Sequence, residues 1–130
     1  MSELHGTWRN ETNMMGMMVE LVQEIRPDGS YETRMAYPTP HGGTHKIFHF
    51  GQYTAEAGSL VLNFESGKTE RVGCNDPSND FELRDLNTSE LEETKRVLAD
   101  PIPFEVEGDE LRTSVQSPMG PMKVTYTRVT

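Results

Sequence analysis

Apolar and polar residues alternate one by one along much of the chain. Over residues 17–26, Met17, Val19, Leu21 and Ile25 share one face with Gln23 among them, and Glu20, Glu24 and Arg26 lie opposite. Tyr31, Thr33, Met35 and Tyr37 face one way in the next run, Glu32 and Arg34 the other. Leu60, Leu62 and Phe64 form another apolar row; so do Met122, Val124 and Tyr126, against Lys123, Thr125 and Thr127. A period of two with one polar face is the pattern of a half-buried β-strand. Turn-forming clusters separate the runs: "RPDGS" (26–30), "EAGS" (56–59), "EGDE" (107–110) and "SPMGP" (117–121). Short strands joined in series by such turns predict an all-β meander.

One segment has a different period. In "NTSELEETKRVLADP" (87–101), Ser89 and Glu92 have the spacing of a capping box, Glu92 and Arg96 are four apart, and Asp100-Pro101 ends the run. This predicts a short helix near 90–99 with Leu91 and Leu98 as a narrow apolar stripe. It either lies over an end or side of the sheet structure or is a solvated connection.

The single tryptophan, Trp8, sits near the N-terminus, where chains usually fray. A meander removes its exposed edges by pairing its first strand with its last. That sets "GTWRN" (6–10) beside "TYTRV" (125–129) and brings Arg128 across the indole. Trp8 then plugs one end of a closed barrel of about eight strands.

Gly6-Thr7-Trp8 with Arg128 resembles the Gly-x-Trp and C-terminal Arg signature of the lipocalin-like, or calycin, superfamily. "IRPDGSYET" (25–33), "FGQYTAEAGSLVL" (50–62) and "FEVEGDEL" (104–111) are similar to the small intracellular or bacterial members. The resemblance runs from about residue 4 to 129 and implies an antiparallel up-and-down barrel around an internal ligand cavity. It implies no particular ligand or activity. The insert at 87–101 departs from the plain meander, and within these 130 residues no helix follows the last strand.

Composition narrows the function. A length of 130 residues fits one domain, 1–130. Hydrophobic residues are only 34% of the chain, which suits a shell around a cavity better than a dense solid. A net charge of −9 and a pI near 4.8 argue against a nucleic-acid partner, which would need clustered Lys and Arg. No stretch approaches the ~18 apolar residues of a membrane span. "MSELHGTWRN" has no apolar core, and Cys74 is the single cysteine, so a cytoplasmic protein without a secretory signal is expected. The oligomeric state, monomer or homodimer, is left open by the sequence.

"TPHGGTHKIFHF" (39–50) holds three of the four histidines. On a strand, His45, Ile47 and His49 share one face and Lys46, Phe48 and Phe50 the other. Apolarity favours the phenylalanines inward, the register of Tyr53 favours the histidines, and a bulge at Gly51 would reconcile the two. Inward histidines could bind an anion, ligate haem iron or transfer protons; outward ones are surface or hydrogen-bonding residues. Four apart on a strand they stand ~13 Å apart, too far to share one zinc ion. With no Cys cluster or Glu/His helix motif, neither a metal nor a cofactor is expected. Cys74, beside Asn75 and Asp76, reads as structural.

"NMMGMMVEL" (13–21) gathers four methionines around Gly16, either as core filling or as an adaptable barrel mouth. The expected ligand contacts are Met17, Tyr31, Tyr37, His45, His49 and Tyr126. The mouth is expected between Met14–Met18 and His41-Gly42-Gly43. The expected function is binding of a small, largely apolar molecule in the barrel. The alternatives are a cofactor-independent isomerase, cyclase or lyase using Tyr and His in that cavity, and a structural or interaction protein with a collapsed, filled barrel.

Overall fold

The chain's computed structural model describes residues 4–14, 16–40, 42–117 and 120–129, with backbone only at 14 and 115–117. Met15 and His41 of the expected mouth, and 118–119 of the last turn, lie outside the described residues. The alternating runs become nine strands: β1 (Gly6–Met14), β2 (Met17–Ile25), β3 (Ser30–Pro38), β4 (Thr44–Glu56), β5 (Ser59–Val72), β6 (Phe81–Asp85), β7 (Ile102–Glu107), β8 (Glu110–Ser117) and β9 (Gly120–Arg128). Eight of them close into an antiparallel up-and-down barrel. β9 returns to β1 through Trp8↔Arg128 and Arg9↔Thr127, and β5 meets β7 through Ser59↔Pro103 and Leu60↔Ile102.

β6 is an addition to the barrel. It pairs with the far part of β5, at Lys68↔Asp85, Thr69↔Arg84 and Arg71↔Phe81. Between these two pairings, no strand among the described residues covers residues 61–67 of β5 on that side. The helix α1 (Thr88–Val97) packs there instead. Leu98 reaches the core cluster, and Lys95, Leu98 and Ala99 face Val61, Leu62 and Phe64 across a narrow cleft. The helix thus lies on the barrel's side, over a gap in its wall.

Its start falls earlier than Ser89 and Glu92 suggest. The capping box is Asn87 with Glu90: the Asn87 side chain accepts from Glu90 N–H at 2.9 Å, and Glu90 accepts from Asn87 N–H at 2.9 Å. Leu86, buried just before the cap, anchors the entry there. Arg96 pairs with Glu93 rather than Glu92.

Facing partners show which side is inside. Trp8, Gln23, Thr33, His49 and Gly67 occupy one cross-strand row. Along β4, His45, Ile47, His49, Gly51 and Tyr53 therefore point inward without interruption, and Phe48 and Phe50 point out. The expected irregularity occurs, but its extra residue is on the other strand: Phe50 faces Ser66 and Gly51 faces Phe64, leaving Glu65 as the bulge. Gly51 permits the close approach. A Cβ there would lie 2.2 Å from the Asn63 carbonyl oxygen and 2.9 Å from the Tyr31 ring.

The apolar core gathers at one end. Leu4, Trp8, Ile25, Tyr31, Leu60, Leu62, Phe104, Leu111, Val124 and Tyr126 form a single buried cluster. Trp8 is fully buried at its base, with its indole N–H donating to the Leu4 carbonyl at 2.9 Å. The Arg128 guanidinium lies 4.2 Å from the indole and donates to the His5 carbonyl at 2.7 Å. The last strand and the residues before β1 together cover the tryptophan.

Candidate functional site

The opposite end of the barrel carries the β1–β2, β3–β4, β5–β6 and β8–β9 connections. Inward positions there are differently packed. Ile25 and Tyr31, near the tryptophan, are 1% exposed. Leu21, Gln23, Thr33, Met35, Tyr37, His45, Ile47 and His49, further along the same strands, are only half-buried. Met17 and Met122 stand at the rim, 40% and 41% exposed. Along β2, β3 and β4 the inward side therefore runs from a packed base to a more exposed half, while on β5 the inward Thr69 stays buried at 2% exposure.

Tyr37, His45 and Phe81 form an aromatic group on this half. The Tyr37 and His45 rings stack at 5.2 Å, and Phe81 meets His45 edge-on at 5.7 Å. The Thr69 hydroxyl lies 2.7 Å from His45 Nε2 and 3.1 Å from the Lys46 carbonyl, so it ties the imidazole to the β4 backbone. His49 lies deeper, 5.0 Å from the Phe64 ring. Among the described residues, three inward polar atoms are shielded without a hydrogen-bond partner, Gln23 Oε1, the Tyr31 hydroxyl and Arg71 Nε.

Burial sets the protonation states. It pushes the Tyr31 and Tyr126 hydroxyls up to about 12, with the Glu65 charge adding at Tyr31. It lowers the pKa of His49, and of His45 together with the Arg71 and Arg84 charges, while Glu90 acts in the opposite direction on His45. Near and below the ordinary histidine value of 6.5, the folded protein thus binds fewer protons than the unfolded chain. The stability from these histidines is complete above that value and is lost as pH falls through the window beneath it. Melting temperature is expected to drop between about pH 7 and about pH 5.5, with a shallower slope in His49→Leu. An unchanged slope in both His49→Leu and His45→Gln would contradict this assignment.

The expected contacts are divided by the structure. Met17, Tyr37, His45 and His49 belong to the open half. Tyr31 and Tyr126 lie in the packed cluster at the base. The Tyr53 hydroxyl donates to the Arg26 carbonyl at 2.7 Å. Cys74 is buried, its backbone N–H bonded to Asp80 at 2.9 Å; hydrogen bonding to the same carboxylate, then burial, raises the thiol pKa.

Alternation alone misses Arg71, Phe81 and Arg84. Carrying the parity of Leu60, Leu62 and Phe64 forward along β5 would turn Lys68, Glu70 and Val72 inward. The Glu65 bulge reverses that parity and turns Gly67, Thr69 and Arg71 in. Register with Thr69 and Arg71 then turns Arg84 and Phe81 the same way. No protein-family model matches the chain, and no curated protein matches it.

Among the described residues, no group of three or more His, Cys, Asp and Glu is placed to hold a metal ion, and no helix is long and apolar enough to cross a membrane. A concavity of about 370 Å³ lies between the end of α1 and β7–β8, lined by Val97, Leu98, Pro101, Ile102 and Ser114 among others.

Proposed function

We propose that this protein binds a small, largely apolar molecule inside the open half of the barrel, admitted past Met17 and Met122. The observation that carries the reading is the one-ended core: strands buried to 1% exposure at Ile25 and Tyr31 continue into inward residues that are only half-buried. An interior lined by Leu21, Met35 and Ile47, with Gln23, Thr33 and Tyr37 among them, has the mixed character of ligand sites. The Trp8–Arg128 contact at 4.2 Å supports reading the chain as a lipocalin-like barrel. The single Cys74 and the net charge of −9 support a cytoplasmic role without nucleic acid.

The neutral fluorophore N-phenyl-1-naphthylamine tests this. Its emission is expected to rise and shift to the blue with folded protein. Met17→Asp is expected to weaken binding about tenfold, because the rim charge must be desolvated beside an apolar ligand. Met17 is 40% exposed, so the same change should cost no more than ~1 kcal/mol of stability. Absence of binding to the folded protein would defeat the proposal. A Met17→Asp protein that unfolds while any remaining folded fraction binds normally would defeat the proposed route.

A further inference from the structure

Arg71 and Arg84 give the open half a feature that an apolar ligand alone does not explain. Both guanidinium groups lie over the Phe81 ring, at 5.2 Å and 5.1 Å from its centre. Phe81 in turn meets His45, which stacks on Tyr37. Register puts all of these on the inner side of their strands. The chain as a whole carries a charge of −9, so two arginines on this side run against its general balance.

Their partners differ. Arg84 is neutralised by Glu90 of α1, with bonds of 2.9 Å and 3.4 Å. Among the described residues Arg71 has one hydrogen bond, from Nη1 to the Asn79 carbonyl at 3.4 Å. Its Nε is shielded from water and has no acceptor among the described residues. The charge of Asp80 interacts with Arg71, but Asp80 accepts from the Cys74 N–H at 2.9 Å and forms no ion pair with Arg71 among the described residues. A shielded donor on a charged group is costly to leave unpaired. Nε–H and Nη2–H are the parallel pair that receives both oxygens of a carboxylate side-on.

Resting on the cavity reading above, we propose that the ligand's apolar body ends in a carboxylate, held by the side-on edge of Arg71. Arg84 supplies a second positive charge, and the Phe81 ring is the surface on which both cations lie. The apolar part of the ligand extends past Ile47 and Leu21 into the half-filled lumen. Glu90 competes with the ligand for Arg84, so the strength of the site depends on the α1 side of the barrel.

The test pairs dodecanoate with dodecanol, below micellar concentration, as competitors of bound N-phenyl-1-naphthylamine, and adds calorimetric titration of dodecanoate alone. Wild-type protein should prefer dodecanoate at least about tenfold, the scale of a charge-assisted bidentate contact. Arg71→Met should bring the two competitors within about threefold, and a circular dichroism spectrum and cooperative melt like those of the wild type show that the variant is folded. Glu90→Gln keeps the helix cap, because the amide oxygen still accepts from Asn87, and frees Arg84; dodecanoate should then bind a few-fold more tightly. Equal competition by the two compounds in wild-type protein would overturn the proposal, as would a preference that survives Arg71→Met. If the neutral fluorophore does not bind but dodecanoate binds in an Arg71-dependent way, the neutral-cavity reading fails and the acid site stands. Binding of neither defeats both.

Discussion

Trp8→Ala is expected to lower unfolding stability by ~3–5 kcal/mol, the range for truncating a large aromatic in a packed core. Trp8 is fully buried, and its ring contacts one of the few places where the first and last strands meet. The truncation also removes the 2.9 Å bond that fixes Leu4 over the barrel base and the ring beneath Arg128. Arg128→Ala should be milder, at ~1–2 kcal/mol, because the indole stays packed while the cation–π contact and the bond to His5 are lost. Urea unfolding followed by circular dichroism would measure both. Wild-type fluorescence should show the blue-shifted emission of a shielded indole; emission of a water-exposed one would contradict the plug.

The second large effect concerns a residue with no side chain. Gly51→Ala should cost ~3 kcal/mol, at the upper end for overpacking. The new Cβ would meet backbone, the Asn63 carbonyl oxygen at 2.2 Å, so rotation of a side chain cannot relieve the clash. The neighbouring strand already departs from regular pairing at Glu65, and Tyr31 closes over the same spot at 2.9 Å. Gly108→Ala is the internal comparison. Its φ is +60° and nothing lies within 4 Å of the added Cβ, so only backbone strain opposes it, ~1 kcal/mol. If thermal melts place the two variants together, the close approach of β4 and β5 is wrong.

The closed meander was legible because its signals are local and repeated. Period-two rows on β2, β3 and β9 survive intact, and the pairing of Trp8 with Arg128 follows from the need to remove two edges at once. Helix α1 was legible in kind but not in its start, since Ser89 with Glu92 and Asn87 with Glu90 both fit a capping spacing and the burial of Leu86 decides between them. β6 was not legible: five residues, "FELRD", with no burial signature until they pair with a bulged strand. The candidate site divides along the same line. Met17 and Tyr37 follow from alternation within single strands, whereas alternation left the face of His45 and His49 open and the cross-strand row through Thr33 and Gly67 decides it. Arg71, Phe81 and Arg84 depend on the extra residue at Glu65, which flips the parity of everything after it on β5. A bulge is set by how two strands meet, and neither strand's own pattern reports it.

The central claim, a lumen filled at the tryptophan end and open at the methionine end, is tested most directly by locating a bound probe. Protein labelled with ¹³C at the Met, Ile and Leu methyl groups would be titrated with N-phenyl-1-naphthylamine and followed by two-dimensional NMR. The methyls of Met17, Leu21, Met35 and Ile47 should shift together, and those of Ile25, Leu60 and Leu111, inside the packed cluster, should stay in place. Shifts confined to Leu98 and Ile102 would put the probe in the concavity beside α1, and no shifts at Leu21 and Ile47 would mean a barrel closed to ligands.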